Sequence, residues 1–406
     1  MPEAVIVAAA RSPIGRARKG SLVDIRADDL VTTIARAALD SVPELDPADI
    51  DDVMLGCAQP AGEQGYGLGR ILALQLGLDQ VGGTTVQRYC ASSLQTTRMA
   101  LHAIRAGEGR VFLSAGVESV SRYPAGKADG MPETHNPRYA DARARTARRA
   151  ETGTPPWSDP RADGELPDVY IAMGETAENV AQLRGITRAA QDEYAALSQN
   201  RAEKALADGF WETDITPVRL PDGRWLRTDD GPRPNVTVEG LARLDPAFRP
   251  SGTVTAGNCC PLNDGAAALV VMSDDRAAEL GVRPLARVVA SGVGALSPEI
   301  MGLGPVPAVE RALRHAGMSI GDVDLMELNE AFAAQVIPSV REIGIDMEKV
   351  NVHGGAIAVG HPFGMTGARM TTTLINALRW HDKQIGVVTM CAAGGQGMAL
   401  VLERLS

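Results

Sequence analysis

The chain has 406 residues, 45% of them hydrophobic and 22% charged, the make-up of an ordinary globular protein with room for two or more packed units. Its formal net charge of −10 argues against a general nucleic-acid binder, which carries a basic face, but leaves room for a local basic mouth. No apolar run is long enough to span a bilayer, residues 1–10 lack the basic start of a secretory signal, and the five cysteines are an odd number. These features predict a cytoplasmic protein with reduced thiols.

In chain order, residues 4–10 read as a buried strand and residues 28–39 as an amphipathic helix with an acidic first turn. Residues 53–57 are a second buried strand, followed by a glycine-rich turn at 62–69. After a turn at Val81, Gly82 and Gly83, Leu94, Leu101 and Ile104 mark a helix that stops at Gly107, with Ser92 and Ser93 as candidate caps. Residues 111–115 form a third strand. Strands apolar on both faces, alternating with helices, predict an α/β architecture. From 119 to 250 the chain turns polar and rich in Arg, Pro and Asp, with a solvated run at 141–168. A helix over 187–208, capped by Thr187, makes this excursion a lid or cap rather than a linker. Near Arg283 the order starts again: strand 285–290, helix 307–316, strand 324–328, a helix after Gly364, and strands 385–390 and 398–402. Two duplicated βαβαβ halves are the reading, resting on the order of elements.

Cys90 stands at the start of a helix, where free N–H groups and the positive end of the dipole favour a thiolate. A buried structural thiol is the other reading. Residues 351–367 hold Gly354, Gly355, Gly360, Gly364 and Gly367, which let backbone approach a ligand, and set His361 between Gly360 and Pro362. A turn ahead of a helix suits a general base, and equally a structural histidine. Cys391 ends a buried strand before a glycine turn, the end at which α/β sheets meet ligands, or else fills the core as a small side chain. Cys259 and Cys260 are adjacent, without the spacing of metal ligands or a nearby histidine, so no metal is expected. A thiol-based acyl transferase needs a nucleophile, a base for it, and a second acid/base for carbon. Cys90, His361 and Cys391 supply that set, and Asn329 and Glu330 offer an amide and a carboxylate at a third strand end.

The order Cys90, Asn329-Glu330, Gly360-His361-Pro362, Cys391 with Gly394-Gly395 resembles the thiolase family. The resemblance covers nearly the whole chain: Arg11-Ser-Pro13, Met173-Gly-Glu-Thr-Ala-Glu-Asn179, Thr253-Val-Thr-Ala-Gly-Asn258, Asn263-Asp-Gly-Ala266, Asn329-Glu-Ala-Phe332 and Gly354-Gly-Ala-Ile-Ala-Val-Gly-His-Pro362. It implies a five-layer αβαβα thiolase fold, with residues 1–118 and 251–276 as one half, 277–406 as the other, and 119–250 as a cap over the active site that binds coenzyme A. It implies that Cys90 takes the acyl group, that His361 activates Cys90, and that Cys391 exchanges a proton with the acetyl-CoA carbanion. One oxyanion hole would join His361 to a water held by Asn329; the other would use the backbone N–H groups of Cys90 and Ala393. Met173, Ala256, Cys260 and Phe332 are the implied coenzyme A and substrate contacts. Coenzyme A is then a co-substrate, no bound cofactor is expected, and a homodimer or homotetramer working in lipid degradation by β-oxidation is implied.

Several positions depart from the family's usual residues: Gln87 for an asparagine, Ala393 for a glycine, Cys260 for a serine, and Ala172 for a histidine before Met-Gly. The small Ala172 predicts a pocket for acyl chains longer than acetoacetyl. The reaction expected is thiolytic cleavage of a 3-ketoacyl-CoA to acetyl-CoA or propionyl-CoA and a shortened acyl-CoA. An acetoacetyl-CoA-forming biosynthetic thiolase and a non-catalytic subunit that binds CoA esters are the alternatives.

Overall fold

The computed structural model describes residues 1–129 and 134–406. The first half of the scaffold holds strands β1 (Ala4–Arg11), the short β2 (Gly15–Arg16), β3 (Asp52–Gly56), β4 (Gly82–Val86) and β5 (Val111–Ser119), with helices α1 (Ala27–Asp40), α2 (Leu68–Gln75) and α3 (Ser92–Ala106). An excursion follows, built of α4 (Ala140–Thr152), α5 (Met173–Arg184), α6 (Arg188–Ala207), α7 (Phe210–Asp214), the small hairpin β6 (Val218–Arg219) and β7 (Trp225–Leu226), and α8 (Val238–Leu241). The chain returns to the scaffold as β8 (Asn263–Ser273) and α9 (Asp274–Leu280). The second half is β9 (Ala286–Ala295), α10 (Pro305–Ala316), β10 (Leu325–Leu328), α11 (Ala333–Ile343), the single turn α12 (Ala356–Val359), α13 (Thr366–Trp380), β11 (Ile385–Ala392) and β12 (Gln396–Arg404).

The main sheet runs β10-β11-β12-β9-β1-β8-β5-β3-β4, with β2 beside β8. β3 lies parallel to β4 and β5, and β8 runs antiparallel to β5 and β1. The second half repeats this order: β10 is parallel to β11, and β12 is antiparallel to β11 and β9. Its counterpart of β4 is reduced to one parallel bridge between Met326 and Val350. The two halves join where β1 meets β9 through Val5↔Arg287 and Ile6↔Ala286.

Strand alternation sorts the apolar side chains of the five layers into three clusters, the central one packing on both sides of the middle helices. Val53, Leu55, Leu113 and Val270 face α1 and α2, with Leu30, Ile34 and Leu72. Ile6, Phe112, Leu269, Val388 and Leu400 face a middle layer made by α3 and α13, with Leu94, Leu101, Met370 and Leu374. Val387, Val401 and Leu328 face α10 and α11, with Val309, Leu313 and Val336. This is the α/β arrangement expected, αβαβα in cross-section. The two central helices cross closely because their contact positions are small. A Cβ on Gly367 of α13 would overlap the backbone nitrogen of Leu94 in α3, and one on Gly364, just ahead of α13, would overlap the carbonyl of Val117 in β5.

Local expectations need several corrections. The segment 81–83 leads into β4 rather than ending in a turn, and α2 begins inside the glycine-rich stretch. Within the polar run 141–168, residues of α4 are helical; Arg145 and Arg149 turn toward the buried Glu299, at 3.6 Å each, instead of to water. Ser92 and Ser93 do not cap α3, whose N-cap is Ala91 without a side-chain bond. Ser92 instead ties the preceding turn, and Ser93 Oγ accepts the Ala368 N–H (2.9 Å) in the first turn of α13. Each first-turn donor needs a partner, and here the neighbouring helix supplies it.

Candidate active site

Cys90 follows β4 through a tight turn. Tyr89 holds a left-handed φ of 46°, a conformation that costs a bulky residue energy and is kept only where its surroundings fix it. Ser92 Oγ fixes it by accepting Arg88 N–H (2.9 Å) and donating to Tyr89 O (2.6 Å). The thiol of Cys90 faces two backbone N–H groups, its own and that of Ala393, and both pull its pKa down. Burial is the larger effect and, with Cys391 and Glu118 nearby, drives the thiol well above its ordinary range. The thiolate expected from the helix position is therefore absent in the resting site: Cys90 is a neutral thiol that needs a base.

His361 is held at four points. Its backbone N–H donates to Asn263 Oδ1 (2.9 Å), and Gly360 before it takes a φ of 112° that a side chain would resist. Thr366 Oγ1 donates to Pro362 O and lies 2.7 Å from His361 Nδ1. With its own proton committed, that hydroxyl accepts from Nδ1–H, so Nε2 is the unprotonated nitrogen. Asn329 Nδ2 donates to Nε2 at 3.2 Å. Burial, then the charge of Arg369, lowers the His361 pKa from 6.5 to about 3, so the ring is a neutral base. Thr366 has no sequence signal beyond being a hydroxyl at a helix start.

Asn329 and Cys391 meet because their strands do. Leu328 pairs with Thr389 across parallel β10 and β11, and Asn329 N–H continues the ladder to Thr389 O (3.0 Å). Asn329 Oδ1 is buried without a hydrogen-bond partner among the described residues. Cys391 is fully buried near the end of β11, and burial pushes its thiol up to about 12. The turn after it places its left-handed residues at Gly394 (φ 79°) and Gly395 (φ 77°), so Ala393 avoids the strain that a Cβ brings there. Both sulfurs are within electrostatic range of Cys260.

A cavity of about 640 Å³ opens beside this group, lined by Tyr89, Lys127, His135, Tyr170, Met173 and Ala393, with His135 stacked on Tyr170 at 4.0 Å. Met173 and Phe332 pack in one apolar cluster with Cys391. Phe332 stands edge-on to Phe248 at 6.1 Å, and Cys260 N–H donates to Ala331 O (3.1 Å). Ala256 is exposed and does not line this cavity. Phe248, missed in the sequence, covers Gly174, where any Cβ would strike its ring. Glu330 serves the framework: it accepts from Tyr194 and Ser198 of α6, from Asn351, and from Ile357 N–H. No helix among the described residues is long and apolar enough to cross a membrane.

Comparison with known proteins identifies the family. The thiolase N-terminal domain family matches residues 4–275 and the thiolase C-terminal domain family residues 282–404. The chain is 42% identical to the 3-ketoacyl-CoA thiolase of Aeromonas hydrophila, over all of both proteins. It is 43% identical to the 3-oxoadipyl-CoA/3-oxo-5,6-dehydrosuberyl-CoA thiolase of Escherichia coli, again over all of both. Among solved structures, the Bacillus anthracis acetyl-CoA acetyltransferase superposes with a TM-score of 0.87 at 37% identity, covering 100% of this chain and 99% of that one. The duplicated five-layer fold, the paired thiols and these full-length matches have one explanation: the chain belongs to the thiolase family and is an acyltransferase.

Proposed function

We propose that the enzyme cleaves a 3-ketoacyl-CoA by thiolysis through an acyl group carried on Cys90. His361 Nε2 takes the Cys90 proton, and the thiolate adds to the C3 carbonyl. The C2–C3 bond then breaks, leaving the acyl group on Cys90, and Cys391 gives its proton to the departing C2 carbanion to make acetyl-CoA or propionyl-CoA. The Cys391 thiolate takes the proton of an incoming coenzyme A, whose sulfur attacks the acyl group. Cys90 leaves and recovers the His361 proton, and the shortened acyl-CoA departs. The observation that carries this reading is the Ala393 N–H aimed at the Cys90 sulfur with Cys391 beside it. Such backbone donors stabilise an oxyanion by about 3 kcal/mol each. The orphaned Asn329 Oδ1 has the chemistry to hold a water for a second oxyanion site with His361.

Met173, Cys260 and Phe332 line the approach in this reading, with residues 119–250 as the cap and coenzyme A and the 3-ketoacyl-CoA as substrates. The two scaffold halves are residues 1–118 with 251–276, and 277–406. Homodimer or homotetramer formation, a cytoplasmic location and a role in β-oxidation belong to the same proposal. Replacing Cys90 with Ala is expected to cut thiolysis by roughly 10⁴-fold or more while coenzyme A still binds in calorimetry. A variant that keeps a tenth of the wild-type rate overturns the assignment.

The cavity falls within the range for drug-sized ligands and suits acyl chains longer than acetoacetyl. Similarity to a 3-oxoadipyl-CoA thiolase supports a second reading of the tail, one that ends in a carboxylate and competes with Asp129 for Lys127 on the cavity wall. Comparing kcat/KM for 3-oxoadipyl-CoA and for 3-ketohexanoyl-CoA, which share a chain length, separates the two.

A further inference from the structure

Two charged side chains buried behind His361 take no part in the chemistry above. Arg369, 1% exposed, lies on α13 three residues after Thr366, the acceptor for His361 Nδ1–H. Glu327, 2% exposed, lies on β10 two residues before Asn329, the donor to His361 Nε2. The two-residue period of the ladder puts Glu327 and Asn329 on one side. Arg369 Nη1 stands 3.6 Å from Glu327 Oε2, and Arg369 Nε and Nη1 have no hydrogen-bond partner among the described residues. The pair thus bridges the two elements that carry both side-chain partners of His361.

We infer that Arg369, braced on Glu327, is a positioning residue for His361: its contact registers α13, which carries Thr366, on β10, which leads into Asn329, and brings a buried positive charge to that side of the ring. This rests on the reading of His361 as the base. The other charges facing the pair are Arg11 from β1, Asp214 from α7, Asp229 from the segment after β7, and Glu330. Arg11 takes up both aspartates, at 2.7 and 2.5 Å, and Glu330 is covered by its own donors. Near the ring, burial keeps the thiols of Cys90 and Cys391 neutral. Burial raises the Glu327 carboxyl above its ordinary range, and Arg369 beside it pulls it back down. After burial, the positive charge of Arg369 is what holds the His361 pKa down.

The test is the acid limb of kcat/KM for thiolysis against pH, with folding checked by circular dichroism. The double variant Glu327→Met with Arg369→Met replaces a buried pair by apolar side chains, an exchange that proteins often tolerate. Arg369→Gln is measured beside it, so that the limb is read in a folded variant without the charge. Both are expected to move the limb up by about one pH unit. Arg369→Lys keeps the charge and is expected to leave the limb at the wild-type position. A limb unmoved in the charge-free variants, or moved as far in the Lys variant, overturns the inference. Wild-type thiolysis in His361→Gln would overturn the base assignment instead, so the two failures are distinct.

Discussion

The hydrogen bond from His361 Nδ1 to Thr366 sets which ring nitrogen is free to accept a proton. Without the hydroxyl, the ring can rotate or take its proton at the other nitrogen. Thr366→Val is nearly isosteric and is expected to lower kcat roughly a hundred-fold with little change in KM, as misplaced catalytic groups do. Unchanged kcat would show that Gly360, Pro362, Asn263 and Asn329 orient the ring without Thr366. A second histidine gives a stability readout. His353 is buried, stacked on Phe210 at 3.5 Å, and its Nε2 lies 3.1 Å from His381 Nε2. Burial, then His381, lowers its pKa from 6.5 to about 4. Below 6.5 the unfolded chain binds a proton that the folded chain refuses, so stability is lost as pH falls from 6.5 toward 4. His353→Gln removes that linkage. The unfolding free energy of wild type relative to the variant is expected to fall by ~1.4 kcal/mol per pH unit across this window, measured by urea titration. At this scale the sequence went a long way: Cys90, Asn329, His361 and Cys391 stand out by residue type beside turns and glycines. The rise in the Cys90 pKa did not, because burial is a property of the folded surroundings and here outweighs the helix end.

At the scale of elements, α3 and α13 define the middle layer, and small residues let them approach. Gly367 is placed by this packing rather than by backbone conformation, since it falls within the first turn of α13. Gly367→Ala drives a methyl into the first turn of α3, close behind Cys90. Overpacking of this kind costs about 1–3 kcal/mol, and the displaced α3 is expected to lower kcat as well. A thermal midpoint equal to wild type would mean that the helices slide apart freely. The long strands were legible because their apolar runs are unbroken, and the helix over 187–208 because Thr187 caps a stretch of helix-forming residues. β4 was not, because Gly82–Val86 carries two glycines and two threonines and lies at the sheet edge. Nor was the capping by Ser93, which crosses 275 positions to α13 and leaves no local pattern.

Across the whole molecule, the duplication read from element order is visible as one strand order repeated on both sides of the β1–β9 join. Sequence has little to say about how the excursion is fastened to that scaffold, because the fasteners are charges far apart in the chain. Glu299 in the second half accepts from Trp157 Nε1 (2.7 Å) and Asp168 N–H (2.8 Å) of the excursion. Arg11, at the end of β1 and fully buried, reaches Asp214 of α7 and Asp229 in the excursion. Asp214 also receives Thr373 and Asn376 of α13, so one guanidinium ties the first strand, the excursion and the central helix together. Buried ion pairs are costly to form, yet breaking one by removing a single partner leaves an uncompensated charge. Arg11→Met is therefore expected to destabilise the protein by about 3–5 kcal/mol in urea titration. The excursion should loosen first, seen as faster proteolysis within 134–250 than within the sheet. If the loss is below about 1 kcal/mol, the excursion is held by its apolar contacts, and the buried charges serve to fix its register instead.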